Sequence, residues 1–475
     1  MTKEEFIRQV NANFGHTPTS DQGRCLNDVV GYLADRQEKR VHIINGYAGS
    51  GKTSLVAAIV KTLYSNNART VLLAPTGRAA KVLSNYCNAP AYTIHKYIYN
   101  TFQDEYGNFK IILSKRQNPN TIFFIDEASM IADGTNYGEN HYSERNILED
   151  IISFVFGKTG CKLIFIGDTA QLPPVGFTDS PALVPKTFTE SYHIDASIST
   201  LTQVVRQIND SPILTNATFI RNKLLNKDFS QPFFNTIEKG KFSGLDTFDF
   251  EETLNSCFGN RNTSNESVIL CRSNRQANMY NNALRSRILY YDSQLVSGER
   301  LMVIKNNYYW TDSESKESLF IANGEMIEIQ HIRKIEEIYG FTFAHTTIIL
   351  PDIPDSPSLD VILMLDTLDI ETASLPYERK NELYQNILED HIGEIHNKAE
   401  RNRLIRNNPY YNALQVKYGY ALTCHKAQGG QWDNVFIDKG FLKDEDINED
   451  FFRWLYTAVT RGVKREYLIK FQNIY

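Results

Sequence analysis

Gly46-Tyr47-Ala48-Gly49-Ser50-Gly51-Lys52-Thr53 is the stretch whose reading decides the fold. Its spacing is that of a phosphate loop, G-x-x-x-x-G-K-[ST], and its flanks agree. Val41-His42-Ile43-Ile44 before it is short and β-branched, as a buried strand would be. Residues 54–64 after it carry Leu55, Ala58, Ile59 and Leu63 at helical spacing. Glycines let backbone N–H groups wrap a polyphosphate, and the start of the helix adds partial positive charge. Lys52 would reach the β and γ phosphates, and the Thr53 hydroxyl would help hold Mg²⁺. The alternative is a glycine-rich turn with a chance lysine. Strand, loop and helix in that order favour a nucleoside triphosphate site, without saying what its energy drives.

Working outward, 475 residues are too many for one core and predict two to four domains. Hydrophobic content of 42% with 22% charged residues suits a globular protein. Met1-Thr2-Lys3-Glu4-Glu5 lacks the basic-then-apolar pattern of a signal peptide, and no run approaches the ~20 apolar residues of a membrane span. The six cysteines are scattered without a C-x-x-C pair, which predicts reduced thiols in a cytoplasmic protein. A net charge of −6 argues against a surface coated in nucleic acid, and leaves room for one local groove.

Val71-Leu72-Leu73-Ala74, Ile122-Phe123-Phe124-Ile125 and Leu163-Ile164-Phe165-Ile166 are unbroken apolar runs, as expected of parallel strands covered on both faces. They predict a doubly wound α/β domain over residues 1–200, with its chemistry at the strand C-termini. A hairpin is predicted as an insertion at about 97–120. A second α/β domain is expected from 201–290 and 415–475, on Ser267–Cys271, the helical stretch 277–288 and later apolar runs. Between its halves, 291–414 reads as antiparallel strands (300–304, 325–330 and 341–350) followed by a charged helical stretch, 376–407. Residues 133–146 read as a surface loop.

Several residues carry candidate chemistry. Asp126-Glu127 directly follow an apolar strand, where one carboxylate can orient Mg²⁺ and the other polarise an attacking water. An exposed acidic turn would look the same in isolation. Gln171, in Gly167–Gly176, offers an amide able to bond both phosphate and water, or belongs to a rigid turn stiffened by Pro173 and Pro174. Arg206 and Arg461 are candidate clamps on a transferring phosphate. By spacing alone neither stands out among 50 basic residues. His425 and Lys426, in Thr423-Cys424-His425-Lys426-Ala427-Gln428-Gly429-Gly430, read singly as surface residues of a strand-end loop.

Taken in order, these segments resemble a superfamily 1 helicase, and within that group the RecD family, the helicase subunit of exonuclease V and its free-standing relatives. Further matching segments are Ala74-Pro75-Thr76-Gly77-Arg78-Ala79-Ala80, Thr93-Ile94-His95, Val205-Arg206-Gln207, Asn306-Asn307-Tyr308, Asn323-Gly324-Glu325 and Tyr456–Gly462. The resemblance implies two RecA-like domains with ATP between them and single-stranded DNA across the top. It also implies an inserted SH3-like β domain and a strand-separating pin at 97–120, with Phe102, Tyr106 or Phe109 as stacking candidates.

Carried over residue by residue, Gln22 would read adenine, while Gly46, Gly49, Ser50, Gly51, Lys52, Thr53 and Gly429 would line the nucleotide. Thr53 and Asp126 would hold Mg²⁺, Glu127 would be the general base, Gln171 the γ-phosphate sensor, and Arg206 and Arg461 would close the cleft. Pro75, Thr76, Arg78, His95, Thr423, His425 and Lys426 would lie along the nucleic acid. Gln431 stands where the family has an acidic residue. The implied activity is ATP-dependent, 5′-to-3′ unwinding by a DNA helicase, favoured as a monomer, acting on single strands and duplex junctions, with repair or recombination proteins as partners and no membrane. An RNA or protein–nucleic acid remodeller, or a nucleotide-gated binding subunit, are the alternatives.

Overall fold

The computed structural model describes the chain except residues 1, 38, 104–108, 116, 135–144, 205–210, 233, 235–240, 246–248, 308, 311–320, 354–355, 392–396 and 472–475. Side chains at 101–103, 109–111, 261, 262, 398, 399 and 444 are also outside the description. The first two hundred residues contribute β1 (Arg40–Gly46), β2 (Thr70–Ala74), β3 (Ala91–Thr93), β4 (Tyr99–Gln103), β5 (Phe109–Leu113), β6 (Ile122–Ile125), β7 (Lys162–Gly167) and β8 (Asp195–Leu201). Six of them form one parallel sheet, ordered β3-β2-β6-β7-β1-β8.

Alternate residues of its central strands feed two separate cores. Ile43, Phe123, Ile125, Leu163 and Phe165 face one side, and Ile44, Leu72, Phe124, Ile164 and Ile166 face the other. This is why these strands are apolar without alternation: both faces are covered, each buried Leu, Ile or Phe contributing about 1.5–3 kcal/mol. The helix Lys52–Ser65 buries Leu55, Ile59 and Leu63 on the second side. β4 and β5 stand apart as an antiparallel ribbon, in agreement with the expected hairpin. Tyr106 and the side chains of Phe102 and Phe109 lie outside the described residues, as does most of the expected 133–146 loop.

A second parallel sheet is built from β9 (Phe242–Leu245), β10 (Ser267–Cys271) and, after a long insertion, β16 (Ala421–Thr423), β17 (Trp432–Asp438) and β18 (Gly462–Ile469). Its order is β16-β10-β17-β18-β9. The insertion holds β11 (Arg300–Val303), β12 (Met326–Ile338), β13 (Phe341–Ile349), β14 (Leu359–Met364) and β15 (Leu414–Tyr418), which close into a five-stranded barrel. Tyr339 and Gly340 both have positive φ, at 56° and 75°, between the paired residues Ile338 and Phe341. That is the turn a tight, right-twisted hairpin requires.

Barrel and second sheet share one core, in which Leu301, Ile327 and Val416 pack with Ile269, Cys271 and Phe436. A buried bidentate pair reinforces the weld: Arg285 donates from Nε to Glu299 Oε1 at 2.8 Å and from Nη2 to Oε2 at 3.1 Å. The charged 376–407 stretch is two helices, Tyr377–Asp390 and Lys398–Asn407. Leu383, Ile387 and Ile405 bury against Phe341, Phe343 and Met364 of the barrel, so the segment has a structural role. All six cysteines are buried and unpaired. Among the described residues no helix is long and apolar enough to cross a membrane.

Candidate nucleotide site and nucleic-acid face

β1, β6 and β7 lie side by side in the first sheet or one strand apart, so the turns at their C-termini converge. The β1 turn is the phosphate loop. Gly49 and Gly51 adopt φ of 78° and 73°, which a side chain resists, and Gly51 opens the helix Lys52–Ser65. Lys52 Nζ donates to the carbonyls of Gly46 at 2.8 Å and Gly167 at 3.1 Å, tying the loop to the end of β7. Ser50 Oγ is buried without a hydrogen-bond partner. A Cβ on Gly46 would stand 2.9 Å from that oxygen. A buried unpaired hydroxyl beside a glycine-lined loop and a lysine is a donor set that suits polyphosphate.

Asp126 and Glu127 follow β6 as expected. Burial, then the charge of Glu127, pushes the Asp126 carboxyl up to about 6, against the opposing pull of Lys52. Glu127 has φ 50° and ψ 39°, a left-handed conformation that costs a non-glycine residue about 1–2 kcal/mol. Opposite it, Arg461 Nη1 lies 3.7 Å from Glu127 Oε1. Arg461 is buried, with Nε donating to the Thr457 carbonyl, Nη1 to Gly430 and Nη2 to the Thr460 hydroxyl. Gln171 is buried and its Oε1 has no partner, so its amide is unspent on the protein at that end. Arg206 lies outside the described residues.

Gln22 lies directly behind the phosphate loop. Its Oε1 accepts from the Thr19 N–H in a capping box and its Nε2 donates to the Ser50 carbonyl, both at 2.9 Å. Each end of the amide thus makes one bond, and Gln22 props the phosphate loop while one lone pair and one N–H stay available. Gly429 has a left-handed backbone. Its φ is 74°, and a Cβ would fall 2.8 Å from Ala79 Cβ and 3.2 Å from Thr76 Oγ1, so it packs against the turn after β2.

That turn is where the two sheets and the barrel meet. Thr76 Oγ1 accepts from Ala79 N–H and caps the helix Gly77–Cys87. Arg78 donates to the Gln431 carbonyl at 3.1 Å and lies 3.9 Å over the Trp432 ring. Lys426 donates to Asn323 Oδ1 at 2.5 Å, and a Cβ on Gly77 would stand 3.3 Å from Glu325 Oε1. Thr76, Arg78, Lys426 and Gly429 are thus brought to one seam, with Pro75 half-buried beside them. Thr423 ends β16, its side chain making no capping bond. His95 instead packs its ring 5.6 Å from Tyr99, at the foot of the hairpin ribbon. Burial holds His95 near 4 and lowers His425, so both are neutral at pH 7 and would meet phosphate as hydrogen-bonding groups.

Sequence reasoning missed a second set of cross-domain bonds. Thr457 Oγ1 accepts from Leu172 N–H at 2.8 Å, and Gln428 Nε2 donates to the Leu172 carbonyl at 2.7 Å. They grip both backbone groups of the residue after Gln171. Both residues sit in segments flagged above, but no spacing rule pairs positions hundreds of residues apart.

Residues 27–225 match the family described as an AAA domain, and residues 418–469 match the UvrD-like helicase C-terminal domain. The ATP-dependent DNA helicase dda of Enterobacteria phage T4 is 26% identical over 475 residues, covering 94% of this chain and 97% of that protein. The ATP-dependent RecD2 DNA helicase of Deinococcus radiodurans is 25% identical over 200 residues, 42% of this chain and 23% of its own length. A solved Pif1 helicase from Bacteroides, in complex with ADP-AlF3 and single-stranded DNA, aligns over 96% of this chain and 93% of its own, with 15% identity and a TM-score of 0.45. The site and the family matches together support the assignment of this chain to the superfamily 1 helicases.

Proposed function

We propose that this chain is an ATP-dependent DNA helicase that steps along single-stranded DNA and unwinds duplex ahead of it, in the 5′-to-3′ direction. The observation that carries the reading is Arg461 of the second domain facing Glu127 of the first at 3.7 Å, across a cleft floored by the phosphate loop. A cleft closed by charges from two bodies makes hydrolysis depend on their relative position, and that dependence is what a translocase needs.

ATP would be held by the loop 46–53, with Lys52 exchanging its two carbonyl partners for phosphate oxygens. Thr53 and Asp126 fit Mg²⁺, which when bound would neutralise phosphate charge and supply the counter-charge Asp126 lacks. Glu127 orients and deprotonates the attacking water, Gln171 senses the γ-phosphate through its Nε2–H donors while its unpaired oxygen accepts from water, and Arg461, with Arg206, stabilises charge on the transferring group. Thr76, Arg78, Thr423, His425 and Lys426 follow the backbone of the strand, with His95 nearer the ribbon that would split the duplex.

The domain limits that suit this reading are 1–200 with the ribbon inserted, 201–290 with 415–475, and 291–414 as the barrel insertion. The RecD2 helicase is matched over 200 residues, 42% of the chain, whereas the phage helicase is matched along 94% of it. The chain thus fits a free-standing helicase of the phage type better than an exonuclease subunit, and we take it to act as a monomer in a reducing cytoplasm. ATP hydrolysis measured with and without single-stranded DNA tests it: strong stimulation by DNA is expected, and indifference to nucleic acid would sink it. Stronger stimulation by RNA would favour the remodelling alternative.

A further inference from the structure

One polar group buried at the domain seam has no part in the roles above. Tyr456 lies on the helix Glu449–Val459 of the second domain and is about 1% exposed. Its hydroxyl accepts from the backbone N–H of Ala48, inside the phosphate loop, at 2.9 Å. It donates to Asp168 Oδ2, at the end of β7, at 2.7 Å. Asp168 is itself buried, with its other oxygen, Oδ1, accepting from Ala170 N–H at 2.9 Å.

A single oxygen therefore joins three parts of the molecule: the glycine-rich loop after β1, the turn that carries Gln171, and the second domain. The same helix runs into Arg461 two residues past its end. Arg221, from the helix Pro212–Leu225, stacks 4.7 Å over the Tyr47 ring beside this hydroxyl, and its Nε is buried without a partner. The hydroxyl is thus enclosed by protein groups from both domains.

We infer that Tyr456 is a positioning residue for ATP hydrolysis: its hydroxyl fixes the phosphate loop and Asp168 relative to the helix that delivers Arg461. The inference rests on the helicase reading for the identity of the reaction, but the contact itself does not. Movement of the second domain must either carry the loop with it or break both bonds. The bond to Asp168 is charge-assisted, the stronger of the two kinds. Because the carboxylate also feels Lys52, any shift of Tyr456 alters the field at the lysine. Burial, then the charge of Asp168, pushes the phenol far above its ordinary range, so it remains a donor at every working pH.

The test compares wild type with Tyr456→Phe, Asp168→Asn and the double variant, measuring KM and kcat for ATP with and without single-stranded DNA, alongside thermal unfolding. Phe keeps the ring in its packing and deletes only the oxygen. The expected result is a kcat lower by about ten- to a hundredfold in Y456F, with KM for ATP changed by less than about threefold. The double variant should lose little more than either single one, because Asn takes the charge from the same contact whose donor Phe removes. Wild-type kcat in Y456F, or a loss tracking melting alone with fully additive variants, would overturn the inference. If wild type hydrolyses ATP without responding to DNA, the helicase reading fails, and the kcat difference between wild type and Y456F still decides the role of Tyr456.

Discussion

Arg461 Nη1 stands 3.7 Å from Glu127 Oε1, a contact between the last turn before β18 and the turn after β6. It joins two sheets that share no strand. Replacing Arg461 with alanine should lower DNA-stimulated kcat by about 10³-fold, the range of an arginine that stabilises phosphoryl-transfer charge. Lysine should not rescue it. Arg461 also bonds three protein oxygens in a fork that an ammonium on a flexible stem does not reproduce. Steady-state ATPase assays of both variants check this.

Lys52 bridges the Gly46 and Gly167 carbonyls, so its loss affects two strand ends as well as phosphate binding. K52A should reduce hydrolysis at least about 100-fold and weaken ATP binding. Nucleotide titration followed by intrinsic fluorescence, paired with an ATPase assay, separates the two effects.

Gly429 has φ 74° and no room for a methyl group beside Ala79. G429A should destabilise the protein by about 1–3 kcal/mol and loosen the seam at Thr76. The observable consequence is a lower unfolding midpoint together with weaker single-stranded DNA binding in fluorescence anisotropy. Gly15, also at positive φ but with open space around it, is the control position, where alanine should leave DNA binding intact.

Burial raises the Glu325 carboxyl to about 7 from its ordinary value near 4.5, aided by Asp352 and opposed by the Ala322 N–H and Lys96. The folded protein therefore binds this proton more tightly than the unfolded chain. Its contribution to stability is greatest below about pH 4.5 and is lost as pH rises through about 7. E325Q, which can still accept from Ala322 N–H, should remove that loss and raise stability at pH 8 by about 1–3 kcal/mol. Unfolding midpoints of wild type and variant from pH 5 to 8 should converge toward the acid end.

The phosphate loop, the central strands of the first sheet and the Asp126-Glu127 turn were legible in the sequence because each is local: a spacing, an apolar run, a carboxylate at a strand end. β8 was not, because Asp195–Leu201 is an edge strand burying little beyond Ser199 and Leu201, and its polar text reads as loop. β14 and β15 were missed for a related reason: a closed barrel needs partners far apart in sequence, and β15 pairs with β11 more than a hundred residues earlier. The capping box Thr19-x-x-Gln22 is local and therefore legible, whereas the bond from Gln22 to the Ser50 carbonyl follows only from folding. Tyr456, Thr457 and Gln428 lay inside flagged segments, yet their partners Asp168 and Leu172 follow only from folding.

The most direct measurement is unwinding of duplexes bearing a 5′ or a 3′ single-stranded tail by the purified chain with ATP and Mg²⁺, beside Glu127→Gln. The account predicts strand separation from the 5′ tail alone, abolished in E127Q. Separation from the 3′ tail alone, or equal separation by the E127Q variant, would contradict it.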